Sequence, residues 1–221
     1  MTHSFIINLD NYDIPVRGST GALIVGKPGS GKSVLISYLM LMMMTLGAFP
    51  IIFDTKRSDF FSLKYLFHVS NCIEKSSKTT QNVETPVICS TPRQVAKSLR
   101  ILTELMNRRY EEHQNHWGWD WIDYNLRPIV VVFDEFAATI SEADRKTESE
   151  ITKYLKQLIF KARQMGGIYL LLASQRLTAD VLERNISSEF STRIGMQNLD
   201  RISLDLAFPG CNLDEIPIVE N

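Results

Sequence analysis

Residues 26–33 read GKPGSGKS and fill every fixed position of the pattern G-x-x-x-x-G-K-[ST]. No other stretch limits so tightly what this chain can fold into. Gly26, Gly29 and Gly31 allow a tight turn that points backbone N–H groups at phosphate oxygens. Lys32 can reach β- and γ-phosphates, and the Ser33 hydroxyl can ligate Mg²⁺. Such a loop needs a strand before it and a helix after it. Ala22-Leu23-Ile24-Val25 is a short buried-strand pattern, and residues 34–44 are a helix pattern. The start of that helix adds partial positive charge to the anion site. Gly26, Lys27, Pro28, Gly29, Ser30, Gly31, Lys32 and Ser33 are therefore read as the binding loop for ATP.

The apolar stretch from Val34 to Phe53 is about as long as a membrane span. Gly47 and Pro50 divide it into a helix and a strand, neither long enough alone. A helix that is apolar all round is what a buried α/β core helix looks like. Met40, Met42, Met43 and Met44 then read as adaptable core filling. The 221 residues fit one large domain, and a net charge of −1 argues against a uniformly basic nucleic-acid surface. Cys72, Cys89 and Cys211 have no metal spacing and suggest a reducing compartment. No signal peptide is visible at the N-terminus.

Apolar runs alternate with helical periodicity, which predicts an α/β fold: a mostly parallel central sheet with helices on both faces. Strands are expected at 22–26, 50–54, 86–90, 128–134, 168–173 and 192–197. Helices are expected at 32–46, 59–67, 92–112 and 147–165. Thr91 and Pro92 supply a cap and a first-turn proline for the third of these. Residues 1–20 read as an edge strand or arm, 70–85 as a mobile polar loop, and 113–127 as a loop holding Trp117, Trp119 and Trp121. The last residues look cut off before a natural stop.

Arg127-Pro128-Ile129-Val130-Val131-Val132-Phe133-Asp134-Glu135 is an apolar strand ending in two carboxylates. Beside a phosphate loop, Asp134 would hold Mg²⁺ together with Ser33, and Glu135 would act as general base on the attacking water. Ile168 to Arg176 is a second buried strand with a polar end, where Gln175 can sense the γ-phosphate or orient water.

The order of these motifs resembles one family. The phosphate loop, Asp54-Thr55-Lys56-Arg57, Asp134-Glu135-Phe136, Lys161-Ala162-Arg163-Gln164-Met165-Gly166, Ser174-Gln175-Arg176 and Thr192-Arg193-Ile194 are similar to the FtsK/SpoIIIE branch of the FtsK–HerA DNA-pumping ATPases. The similarity runs from about residue 20 to 210 and looks most like the coupling proteins of Gram-positive conjugative elements. Leu177 departs from the pattern, which has proline after Ser-Gln-Arg. The resemblance implies a RecA-like P-loop NTPase motor domain over 21–221, a ring that is usually a hexamer, and ATP-driven movement of DNA. It also implies an N-terminal membrane anchor, so the expectation is the cytoplasmic-side motor domain of a membrane-anchored protein or a minimal relative.

Ring ATPases present an arginine to the neighbouring subunit's γ-phosphate. Arg163 is the first choice, with Arg108, Arg109 and Arg193 behind it. The helix from Pro92 reads as amphipathic, its apolar stripe Val95, Leu99, Leu102, Leu105 and Met106 opposed by a solvated basic face. The tryptophan loop could stack bases, but packing at a subunit or domain contact is the preferred reading. Lys56 and Arg57 read as intersubunit or nucleotide-proximal. His3, His68, His113 and His116 show no ligand arrangement.

Three functions follow, in order of preference. The first is a DNA translocase of the conjugative coupling type, with DNA of either strandedness as its track and a relaxase and a membrane channel as partners. The second is a secretion-type ATPase that moves protein. The third is a nucleotide-dependent docking module that links a relaxase to a membrane channel without turnover.

Overall fold

The computed structural model describes residues 5–57, 59–62, 87–113, 115–179 and 181–215. The polar loop expected at 70–85 lies outside these, as do His3, His68, Cys72 and the end of the chain. Of the helix expected at 59–67, Asp59–Ser62 is described, as a single 3₁₀ turn.

Six strands form one parallel sheet: β3 (Gly21–Gly26), β4 (Phe49–Phe53), β5 (Val87–Cys89), β6 (Ile129–Phe133), β7 (Ile168–Ser174) and β8 (Thr192–Met196). Their spatial order is β5-β4-β6-β7-β3-β8. A parallel sheet covered on both faces needs strands apolar on both sides. The sequences GALIVG, IVVVF and IYLLLAS are buried at every position. Alternate residues then serve opposite cores.

Leu23, Val25, Phe53, Val131, Phe133, Leu170 and Leu172 face one side. There they meet α2 (Pro92–Glu112) and α4 (Arg145–Lys161). Val95, Leu99, Leu102 and Met106 are buried in that layer, as the stripe predicted. Thr91 caps α2 by accepting from the Gln94 N–H at 3.3 Å, and Asp144 caps α4 by accepting from Thr147 N–H at 2.9 Å. Between these helices lies α3 (Phe136–Ser141), which the sequence reading missed; α4 ends at Lys161 in a π-turn over Ala162–Gly166 rather than running to 165.

Ala22, Ile24, Ile52, Val130, Val132, Leu171 and Ala173 face the other side, against Ile36, Leu39, Met40 and Met43 of α1 (Lys32–Thr45). The reading of α1 as buried all round needs correction. Val34 is 75% exposed and Leu41 53% exposed on its outer side. The N-terminal segment, read as an edge strand or an arm, adds no strand to this sheet among the described residues. β1 (Ile6–Leu9) and β2 (Tyr12–Pro15) pair with each other in a separate antiparallel hairpin. The hairpin sends Ile7 and Ile14 into the α1 core, and Tyr38 Oη donates to the Asn8 carbonyl at 2.8 Å.

Two short helices, α5 (Arg184–Ser187) and α6 (Arg201–Ala207), close the β7 and β8 end of the molecule. Strand order matters most for function. β3 delivers the glycine-rich loop and β6 delivers Asp134-Glu135, and β7 is inserted between them, with Val25 paired to Ser174 and Phe133 paired to Leu172. In open parallel sheets, ligands bind at the carboxyl ends of strands where the order reverses. Here that place is the end of β3, flanked by β7 and β8.

Candidate functional site

The loop after β3 turns through left-handed glycines, Gly29 at φ 77° and Gly31 at φ 87°. Gly26 is needed for space: a Cβ there would lie 2.6 Å from Ser30 Oγ and 2.9 Å from Met196 Cβ. Gly31 starts α1, so the helix's first N–H groups and its dipole face the loop. Lys32 is buried and curls back, its Nζ donating to the carbonyls of Gly26 at 2.5 Å and Lys27 at 3.0 Å. Burial pushes its pKa down. Glu135 and Asp134 oppose that shift, and the nearby Lys56 ammonium adds to it.

Glu135 stands just beyond β6, only 7% exposed, and three groups hold its carboxylate. Oε1 lies 2.9 Å from Ser174 Oγ, and the Gln175 backbone N–H reaches Oε1 and Oε2 at 3.2 and 3.1 Å. Lys56 Nζ is 3.8 Å from Oε2. Ser174 is fully buried, and its Oγ is also 2.9 Å from the Arg176 carbonyl. A hydroxyl has one proton, so Ser174 serves one of these two acceptors at a time. A buried carboxylate held by several donors is a fixed acceptor, a suitable position for taking a proton from water.

The structure thus brings together Gly26–Ser33, Asp134, Glu135 and Gln175. Gln175 enters through its main chain, and its side chain is exposed. Sequence reading missed Ser174 and gave Lys56 no firm role. A polar residue closing an otherwise apolar strand was the available signal for Ser174.

Arg163 is not brought to this cluster within the chain. It lies in the π-turn that precedes β7, at the opposite end of the sheet. The strand's length places it roughly 20 Å from Ser174. Of the other arginines, Arg109 is buried and structural, joining the end of α2 to the carbonyls of Gly166 and, at 2.7 Å, Arg127. Arg193 binds the Ser187 and Ser188 carbonyls, and Arg108 is exposed.

The tryptophan loop divides into three environments. Trp121 is buried against Phe5, ring centroids 5.0 Å apart. Trp119 stacks on His116 at 4.1 Å, and Trp117 is fully exposed. His113 packs on Tyr124.

The residues present fit a magnesium–triphosphate. Ser30 Oγ is buried inside the loop with no hydrogen-bond partner in the described residues, a polar atom suited to a bound anion. Among the described residues no three His, Cys, Asp or Glu side chains form a metal cage. Mg²⁺ in nucleotide sites is held by one or two protein oxygens and shared with phosphate and water. Ser33, in the first turn of α1, and Asp134, just beyond β6, would supply those oxygens.

No family model matches the chain. Among curated proteins it is 27% identical over 174 residues to the FtsK domain-containing protein YdcQ of Bacillus subtilis, covering 79% of this chain and 33% of that one. It is 29% identical over 192 residues to the DNA translocase FtsK of Chlorobaculum tepidum (81% and 22%). With FtsK of Caldanaerobacter subterraneus the identity is 30% over 200 residues (83% and 25%). The chain spans a third or less of the length of these relatives. Among solved structures it superposes on the pCW3 conjugation coupling protein TcpA, in a monomer form with ATPγS. The TM-score is 0.75 at 19% identity, over 94% of this chain and 58% of that one. The cytoplasmic domain of the type VII secretion ATPase EccC from Thermomonospora curvata gives 0.61 at 18% identity, over 89% and 23%. These likenesses establish the ATPase fold expected from the strand and motif order.

Proposed function

We propose that this chain, homologous to FtsK-type proteins over about four fifths of its length, is an ATP-hydrolysing motor domain that moves DNA. The observation that carries the proposal is Glu135. It is a buried carboxylate pinned by the end of β7 and set beside the Lys32 loop. A protein that only docked partners in a nucleotide-dependent way would not need that group.

In this reading the triphosphate lies along Gly26–Ser33, and Lys32 exchanges its two carbonyl acceptors for phosphate oxygens. Ser33 and Asp134 would hold Mg²⁺, which would supply charge neutralisation on those oxygens. Glu135 accepts a proton from the attacking water. The water oxygen bonds to the γ-phosphorus, the bond to the β–γ bridging oxygen breaks, and ADP and phosphate leave. Ser174 and the Gln175 N–H keep the carboxylate aimed. The Gln175 side chain would sense the γ-phosphate or orient water, and Arg163 acts on a neighbouring copy's nucleotide in a ring, a hexamer in our reading.

The track is DNA. The finer role is that of a coupling protein of a conjugative element, working on the cytoplasmic side with a relaxase and a membrane channel. The FtsK relatives and the shared fold with TcpA support it. No helix of the described residues is long and apolar enough to cross a membrane.

The test is ATP turnover with no DNA, single-stranded DNA and duplex DNA over a range of protein concentrations. DNA stimulation that steepens with protein concentration is expected, with Glu135→Gln binding ATP but not turning it over. Turnover indifferent to DNA would replace the track with protein. Normal turnover by Glu135→Gln would remove the general-base assignment.

A further inference from the structure

Lys56 is the second ammonium beside Glu135, and its surroundings differ from those of Lys32. Its backbone is fixed on both sides. Thr55 Oγ1 lies 3.2 Å from Thr139 Oγ1 of α3. The Arg57 N–H donates to the Asp54 carbonyl at 3.3 Å, with Arg57 in the left-handed region at φ 54°. Asp54 is buried, and its Oδ2 accepts the Phe61 N–H at 2.9 Å, which closes the turn.

The Lys56 side chain is not fixed in this way. It is 41% exposed, and Nζ stands 3.8 Å from Glu135 Oε2, beyond hydrogen-bond length. The lysine end of this half-buried pair stays in contact with water while Glu135 is enclosed, so the ammonium, rather than the carboxylate, is the partner that can move. Lys32, with two carbonyl partners and little exposure, has no comparable freedom. The two ammonium groups and the carboxylates of Asp134 and Glu135 carry no net formal charge. An arriving magnesium–triphosphate adds negative charge, and the loosely held Lys56 ammonium is drawn to it.

We infer that Lys56 reads the γ-phosphate: it pairs with Glu135 when that phosphate is absent and moves onto it when it is present, leaving Oε2 with the Gln175 N–H and room to accept from water. The inference rests on the ATPase reading of the site above. ADP has no terminal phosphate to attract Lys56, so Glu135 stays paired. The ion pair thereby couples release of the base to the nucleotide that needs it.

The test measures affinity rather than turnover. Dissociation constants for ADP and for ATPγS, each with Mg²⁺, are determined by calorimetry on the wild-type chain, Lys56→Met and Lys56→Arg. The wild type is expected to prefer ATPγS. Lys56→Met should lose about tenfold of that preference, the value of one charge-assisted contact, with ADP affinity unchanged. Lys56→Arg should keep most of it. Glu135→Gln, which releases the ammonium, should increase the preference in the wild-type background and not in Lys56→Met.

An ATPγS:ADP ratio unmoved by Lys56→Met, or equal losses for both nucleotides, overturns the inference and leaves the ATPase reading intact. A wild-type chain that binds neither nucleotide overturns both. Circular dichroism of each variant guards against misfolding, and Lys56→Arg keeps the test decisive if Lys56→Met does not fold.

Discussion

Ser174→Ala offers a sharp test of how the general base is held. The side chain is fully buried and the replacement is nearly isosteric, so packing around β7 is retained. What disappears is the hydroxyl 2.9 Å from Glu135 Oε1. A hydrogen bond to a charged group contributes about 1.5–3 kcal/mol, and roughly 1.4 kcal/mol is a factor of ten in rate. Glu135 keeps the Gln175 N–H, which it shares between both oxygens. Only the lower end of the range should therefore be lost. We predict a fall in kcat of roughly tenfold with the ATP dissociation constant unchanged. The Arg176 carbonyl also loses its donor, so unfolding should become easier by about 1 kcal/mol. Steady-state turnover, calorimetric ATP affinity and urea denaturation read the three effects separately. In a Glu135→Gln background the change should have no further effect on turnover, because both residues act through one carboxylate. An unchanged kcat in the Glu135 background would refute the argument, and so would a loss expressed wholly as weaker ATP binding.

Further predictions concern parts of the molecule away from the phosphates. Arg109→Ala leaves the Gly166 and Arg127 carbonyls without their donor, and should cost roughly 2–4 kcal/mol in denaturant unfolding while nucleotide affinity stays constant. Trp121→Ala should cost about 3–5 kcal/mol by emptying the core under the hairpin. Trp117→Ala should leave stability within about 0.5 kcal/mol, since that ring is fully exposed.

Asp144 is held below the usual carboxylate range by the Thr147 backbone and side-chain hydrogen bonds. A depressed folded-state pKa contributes stability above the unfolded-state value, and that contribution is lost as pH falls through the folded value. The stability difference between wild type and Asp144→Ala should therefore be present at neutral pH and vanish in acid. A difference that grew as the pH fell would contradict the capping role.

These expectations divide by where their information lies. The glycine loop, the buried strands and the amphipathic helix α2 were legible because each is local. A short β-branched run such as IVVVF suits a strand buried on both faces, and the stripe Val95, Leu99, Leu102 and Met106 has helical period. Asp134-Glu135 was equally visible, as two adjacent carboxylates closing such a run. The outer face of α1 was misread because composition around a helix does not say which side meets the sheet. Val34 and Leu41 are as apolar as Leu39, yet they remain exposed.

The supports of Glu135 depend on something no local pattern contains. Ser174 is 39 residues from Glu135 in the chain. It becomes a neighbour because β7 is inserted between β3 and β6, and Lys56 does so because β4 lies on the other side of β6. Element type follows from side-chain period along a few residues, whereas strand order is chosen by which non-local pairings bury both faces of the sheet together. The sequence alone therefore determined that the chain has a phosphate loop and a carboxylate pair, and the tertiary structure alone decided which hydroxyl, amide and ammonium hold that carboxylate in place.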